Sequence, residues 1–135
     1  MSKTFQPWDV DQPLLLAPSV RDLVPVGHLA HFVRDTVREC LDLSAIRKQY
    51  TEERGYPPYD PVMMTALLLY AYAQGIYSSR RIARACEERV DFMAVTAHQR
   101  PDFRTISDFR KRHLKALGEL FGQVLRLCAE MGLVK

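Results

Sequence analysis

The sequence predicts an all-α fold: a single helical bundle of about six helices, with a helix-turn-helix-like C-terminal half and a long final helix. Three observations lead there. Apolar residues recur at spacings of three and four along most of the chain, the period of a helix with one buried face. No two segments alternate as paired strands do. The breaks between periodic segments are short and carry Gly, Pro, Ser or Asp, which stop and restart helices. A chain of 135 residues is one domain by size. At 47% hydrophobic and 26% charged it can build a core of ordinary size and is not a disordered tail.

Residues 1–18 read as an extended arm, because Pro7, Pro13 and Pro18 break any helix. Its apolar Phe5, Trp8 and Leu14 to Leu16 are expected to lie across the helical core; an arm in a DNA groove is the alternative, with Lys3 its one basic residue. Residues 19–135 form the helical domain. Ser19 to Val24 make one turn, with Ser19 and Asp22 as a capping pair. A helix follows from Val26 to Leu41, with Leu29, Phe32, Val33, Val37, Cys40 and Leu41 as its apolar stripe. Ser44 to Thr51 form a shorter helix, and TEERGYPPYD is a loop.

Asp60-Pro61 opens the central helix, since Asp caps well and Pro suits the first helical position. Val62 to Ala73 is apolar almost all round, so burial on most faces is expected, and Gly75 ends the helix. Tyr70, Tyr72 and Tyr77 could form a stacking platform, but their helical spacing favours a core role. From Ser79 to Arg89, Ile82, Ala83, Ala85 and Cys86 face inward, while Arg80, Arg81, Arg84, Glu87 and Glu88 face out. Val90 to Ala97 is a further short helix, and His98 to Phe103 a turn. The last helix starts at Thr105, its N-cap, with Asp108 completing a short capping box. It runs on to Gly132, roughly twice the average helix length.

That last helix carries the charge that matters. The net charge is only +3, yet Arg100, Arg104, Arg110, Lys111, Arg112 and Lys115 crowd its start against Asp102 and Asp108. At 100° per residue, Ile106, Phe109, His113, Leu114, Leu117, Leu120, Phe121, Val124, Leu125, Cys128 and Met131 share one side. Arg104, Asp108, Lys111 and Lys115 lie opposite, with Arg112 beside them. Arg110 points with the apolar stripe, so it either pairs with a buried carboxylate, which is the favoured expectation, or reaches past the core's edge. Short helix, turn, short helix, turn, basic helix is helix-turn-helix organisation, in which the later helix offers its first turns to base edges. Arg104, Lys111, Arg112 and Lys115, with Arg80, Arg81 and Arg84 nearby, are therefore the candidate contacts to double-stranded DNA. A merely solvated basic face is the alternative.

Other chemistries find no footing. There is no Gly-rich phosphate loop, no GxSxG and no HExxH. His28 and His31 have helical spacing but no third ligand, so neither a metal site nor a cofactor is expected. Cys40, Cys86 and Cys128 are far apart within helical apolar patterns and read as reduced, buried thiols. The longest apolar run is too short to span a bilayer, and MSKTFQPWD has no apolar signal region, so a cytoplasmic, nucleoid-associated protein is expected.

Three stretches together resemble the N-terminal domain of bacterial insertion-sequence transposases of the InsH type: the YPPYDPVMM loop and helix start, the GIYSSRRI turn, and QRPDFRTISDFRKRH. The likeness runs over essentially the whole chain. It implies recognition of the terminal inverted repeats of a mobile element during DNA transposition, and association as a homodimer or with a separate catalytic transposase chain. In such transposases the helical domain precedes an RNase H-like domain whose carboxylate triad binds divalent metal. The sequence stops at GLVK, where the family continues toward the first of those acids, so no catalytic residue is expected here and the chain is not expected to act as an enzyme alone. A helical docking or dimerisation module that assembles with a separate catalytic chain or inhibits full-length transposase is the competing reading.

Overall fold

The computed structural model describes residues 4–6, 8, 10–11, 19–50 and 59–132. Among them are a 3-10 turn, Val20–Leu23, and seven α-helices: α1 (Leu29–Glu39), α2 (Ser44–Tyr50), α3 (Pro61–Ala73), α4 (Ser79–Glu88), α5 (Val90–Thr96), α6 (Phe103–Arg112) and α7 (Leu114–Glu130). No strand occurs among the described residues, so the fold is all-α. Most of the expected loop TEERGYPPYD and Leu14 to Leu16 of the arm lie outside the described residues.

The fold is built around α3. Asp60 accepts the amide of Val62 at 2.8 Å and Pro61 takes the first helical position, as expected. Every residue from Met64 to Ala71 is buried. One polar group in that run, Thr65, returns its hydroxyl to the Pro61 carbonyl at 2.8 Å and so costs the core little. α3 ends where Gly75 takes φ +76°, a conformation that a side chain disfavours. Helices α1, α5, α6 and α7 all pack on it.

Tyr70 shows how this core handles polarity. Its ring is fully buried and meets Phe92 of α5 edge-on at 5.0 Å. Its hydroxyl donates to Asp91 Oδ2 at 2.5 Å, and Arg89 closes on the same carboxylate through Nη2 at 2.7 Å and Nε at 3.1 Å. Burial alone would raise the Asp91 pKa, but the bonds from Tyr70 and Arg89 outweigh it and hold the carboxyl below its ordinary range. Burial and the same carboxylate push the Tyr70 phenol up. Tyr70 is thus a core residue, whereas Tyr77 is largely exposed.

Several expectations are corrected. The expected single last helix is two. His113 takes φ −117° and ψ 23°, outside the helical well, and separates α6 from α7. The buried stripe keeps its period across the break but is narrower than expected: Leu117, Leu120, Val124 and Cys128 are buried, while Leu114, Leu125 and Met131 are exposed. Helix α6 also starts three residues earlier than expected. Its cap is Asp102, which accepts the amide of Thr105 at 2.8 Å, so Thr105 is the residue being capped. Helix α1 begins at Leu29, three residues late, because Gly27 turns the chain at φ +89° and His28 Nδ1 caps Ala30 at 3.0 Å. His31 spends its Nε2 on the Val24 carbonyl at 3.1 Å. Cys40 is exposed just past α1, unlike the buried Cys86 and Cys128. Phe5 and Trp8 are 83% and 90% exposed, so these residues of the arm do not lie across the core.

Candidate nucleic-acid interface

Helices α4 and α6 carry most of the candidate basic residues, and their packing decides which of them meet. Ser78 caps α4, its hydroxyl accepting the Arg81 amide at 3.4 Å. Ile82, Ala85 and Cys86 turn inward, which leaves Arg80, Arg81 and Arg84 on the exposed side. Burial, then the neighbouring Glu87, pushes the Cys86 thiol up to about 12, so it is an inert core group. On α6, Ile106 and Phe109 are buried while Arg104, Asp108 and Lys111 are exposed.

Arg110 joins the two helices. Against expectation it pairs with no carboxylate among the described residues. It donates through Nη1 to the Tyr77 carbonyl and through Nη2 to the Ser79 hydroxyl at 2.6 Å. The loop between α3 and α4 turns carbonyl and hydroxyl groups toward the apolar side of α6, and a guanidinium with five donors satisfies both. This clamp fixes the end of α6 at the start of α4. At the other end, Arg84, Glu87 and Glu88 of α4 share a cleft of about 360 Å³ with Pro101, Asp102 and Phe103. The two helices therefore run antiparallel.

Phe103 organises the outer face of that pair. The Arg80 guanidinium lies over its ring at 3.9 Å and the Arg104 guanidinium approaches at 5.7 Å. Cations over an aromatic face gain roughly 0.5–1 kcal/mol at exposed sites and keep their outward donors available. Arg80, Arg84, Arg100 and Arg104 thus gather around one exposed edge. Asp102, Glu87 and Glu88 stand in the same cleft, so its net charge is low. The Asp102 carboxyl is held below its usual range by the Thr105 amide it caps.

The remaining candidates fall elsewhere. Arg112 and Lys115 line a separate hollow of about 340 Å³ with Glu119 and Ala45 of α2. Arg81 and Lys111 sit near the junction of α4's start and α6's end. Phe103 and Arg100 are not among the candidate contacts; Arg100 belongs to the basic run, but no pattern in the sequence marks Phe103, because residues 80 and 103 meet only where α4 and α6 pack antiparallel. Among the described residues no group of three or more His, Cys, Asp or Glu could hold a metal ion. No helix there is long and apolar enough to cross a membrane.

No curated protein and no solved structure matches this sequence. Residues 18–112 match the transposase domain family DUF772, over more than half of the chain. The match ends at Arg112, the last residue of α6, so the family unit contains both helices of the basic face and leaves α7 outside. The chain belongs to the DUF772 transposase domain family.

Proposed function

We propose that this chain is the DNA-binding module of an insertion-sequence transposase, reading the terminal inverted repeats of its element, with the metal-binding carboxylates of strand transfer supplied by an RNase H-like domain elsewhere. The observation that carries this reading is the antiparallel α4–α6 pair inside the transposase family match, with Arg80, Arg84 and Arg104 held outward around Phe103. In the helix-turn-helix reading, Arg104 and Lys111 on α6 face the major groove, and Arg80, Arg81 and Arg84 on α4 brace phosphates. Arg112 and Lys115 extend the phosphate track past the end of α6. The sequence likeness to InsH-type transposases points the same way.

The test is charge reversal. Lys111→Glu with Lys115→Glu weakens duplex binding and flattens its dependence on salt, by about 0.9 in log–log slope for each phosphate no longer neutralised. Unchanged affinity and slope would remove both residues from the interface.

A second reading is favoured by α7. Leu114 and Leu125 are 65% and 42% exposed, and their separation of eleven positions puts them on one face of that helix. In this reading α7 docks a second copy or a catalytic chain. Self-association that is lost in Leu114→Asp with Leu125→Asp, in a chain that does not prefer the element's end, would select it.

A further inference from the structure

A second cleft lies on the opposite side of the turn that leads into α6. It measures about 350 Å³ and is lined by Arg34 and Arg38 of α1, Arg47 of α2, Asp60, Thr96 at the end of α5, and Ala97 and Gln99 just past it. We propose that it is a seat for a phosphate-type oxyanion.

Two buried groups point to such a visitor. The Arg34 side chain is only 13% exposed. Its Nε donates to Asp35 at 3.1 Å and its Nη1 to the Ala94 carbonyl at 3.1 Å, but its Nη2 is buried with no hydrogen-bond partner among the described residues. Thr96 is fully buried, and its hydroxyl also has no partner among the described residues. Both residues line this one cleft. A buried donor left unmade is costly, and two at one place call for an acceptor from outside. A guanidinium can only donate, so the visitor presents oxygens and not a cation.

Charge selects an anion. Three arginines face one carboxylate, Asp60, and that carboxylate is already engaged by the Val62 amide. Arg38 stands 3.7 Å from Glu39 in a pair exposed enough to open. Arg47 is exposed. Arginines from two helices and a hydroxyl from a third converge from different directions, which suits a tetrahedral oxyanion better than a planar carboxylate. The volume accepts one such group with its attached ester.

Position ties the seat to the face described above. Gln99 lines this cleft and Arg100 the one beside α4, and Tyr59 braces the turn between them by donating to the Arg100 carbonyl at 3.3 Å. A duplex backbone crossing that turn reaches both. Only the origin of the phosphate, duplex backbone or free phosphate, rests on the DNA-binding reading.

The test follows the backbone amides of Ala94 to Gln99 by NMR in the full chain. Inorganic phosphate is titrated at constant ionic strength, with chloride as the control. Saturable shifts confined to these amides and to α1 are expected, and Arg47→Gln is expected to weaken them about tenfold or more, the loss of one charge-assisted hydrogen bond. Arg47 is exposed, so that variant keeps the test sound where Arg34→Met fails to fold. Displacement of phosphate by a short duplex assigns the seat to the DNA backbone; persistence of the shifts beside bound duplex assigns it to free phosphate. Equal shifts with chloride, or an unchanged titration in Arg47→Gln, would overturn the seat. Phosphate binding without any duplex binding would sink the DNA-binding reading and leave the seat standing.

Discussion

Two sets of arginines in this molecule have opposite fates. Arg34, Arg89 and Arg110 are folded into the structure and bond to its own atoms: Arg89 to Asp91, Arg110 to the Tyr77 carbonyl and Ser79, Arg34 to Asp35 and the Ala94 carbonyl. Arg80, Arg84 and Arg104 stay on the surface, and the first and last rest on Phe103 with their outward donors unspent. The first set holds helices together. The second faces solvent from a rigid platform. Charge density along the sequence does not separate them, since Arg110 sits amid the same basic run as Lys111 and Arg112.

The sharpest way to break this division is at Asp91. Asp91→Ala strands the buried Tyr70 hydroxyl and frees Arg89, and it is expected to cost about 2–3 kcal/mol of stability. Urea unfolding measures it, and the folded variant should bind duplex as before. The pH dependence has the matching sign. The folded Asp91 pKa is depressed, so its contribution is complete above the ordinary carboxyl value of 3.8 and is lost as pH falls through the folded value. Arg110→Met should cost roughly 1–2 kcal/mol by leaving the Tyr77 carbonyl and Ser79 without their donor. A destabilisation as small as that of a surface arginine would erase the distinction.

The outer set should respond in reverse. Arg84→Glu with Arg104→Glu leaves stability within about 0.5 kcal/mol. Duplex affinity falls, and the salt slope drops by about 0.9 for each phosphate released from its cation. The smallest effect belongs to His113. Burial, then Arg112, lowers its pKa, so the folded imidazole stays neutral while the unfolded one takes up a proton near 6.5. Stability is complete above that pH and declines below it until the folded pKa is passed. His113→Leu should flatten this part of a stability–pH curve; an unchanged curve would remove His113 as its source.

Helix α3 was legible because its signals agree: an Asp-Pro start, an apolar run with Thr65 set in it, and a glycine stop. The outward set of α4 was legible for the same reason, its amphipathic period being clean. The break at His113 was not. Histidine is no helix breaker, and the apolar period continues through it, with the ring buried 4.6 Å from Phe109 one turn back; nothing in the local spacing marks the interruption. Arg110 defeats the sequence because its partners are a carbonyl and a hydroxyl more than thirty positions away, which no local spacing encodes. The Arg34 cleft left a partial trace, since Arg34 and Arg38 stand one helical turn apart on α1. Thr96 and the turn after α5 complete it, and their approach depends on the fold.

Whether this domain reads DNA is tested most directly by fluorescence anisotropy against the terminal repeat of its own element and a scrambled duplex, over a salt series. Tighter binding to the true end is expected, of the order of a thousandfold for a competent reader, with a salt slope that falls when Arg84 and Arg104 are reversed. Absence of duplex binding even at low salt would contradict the DNA-reading role.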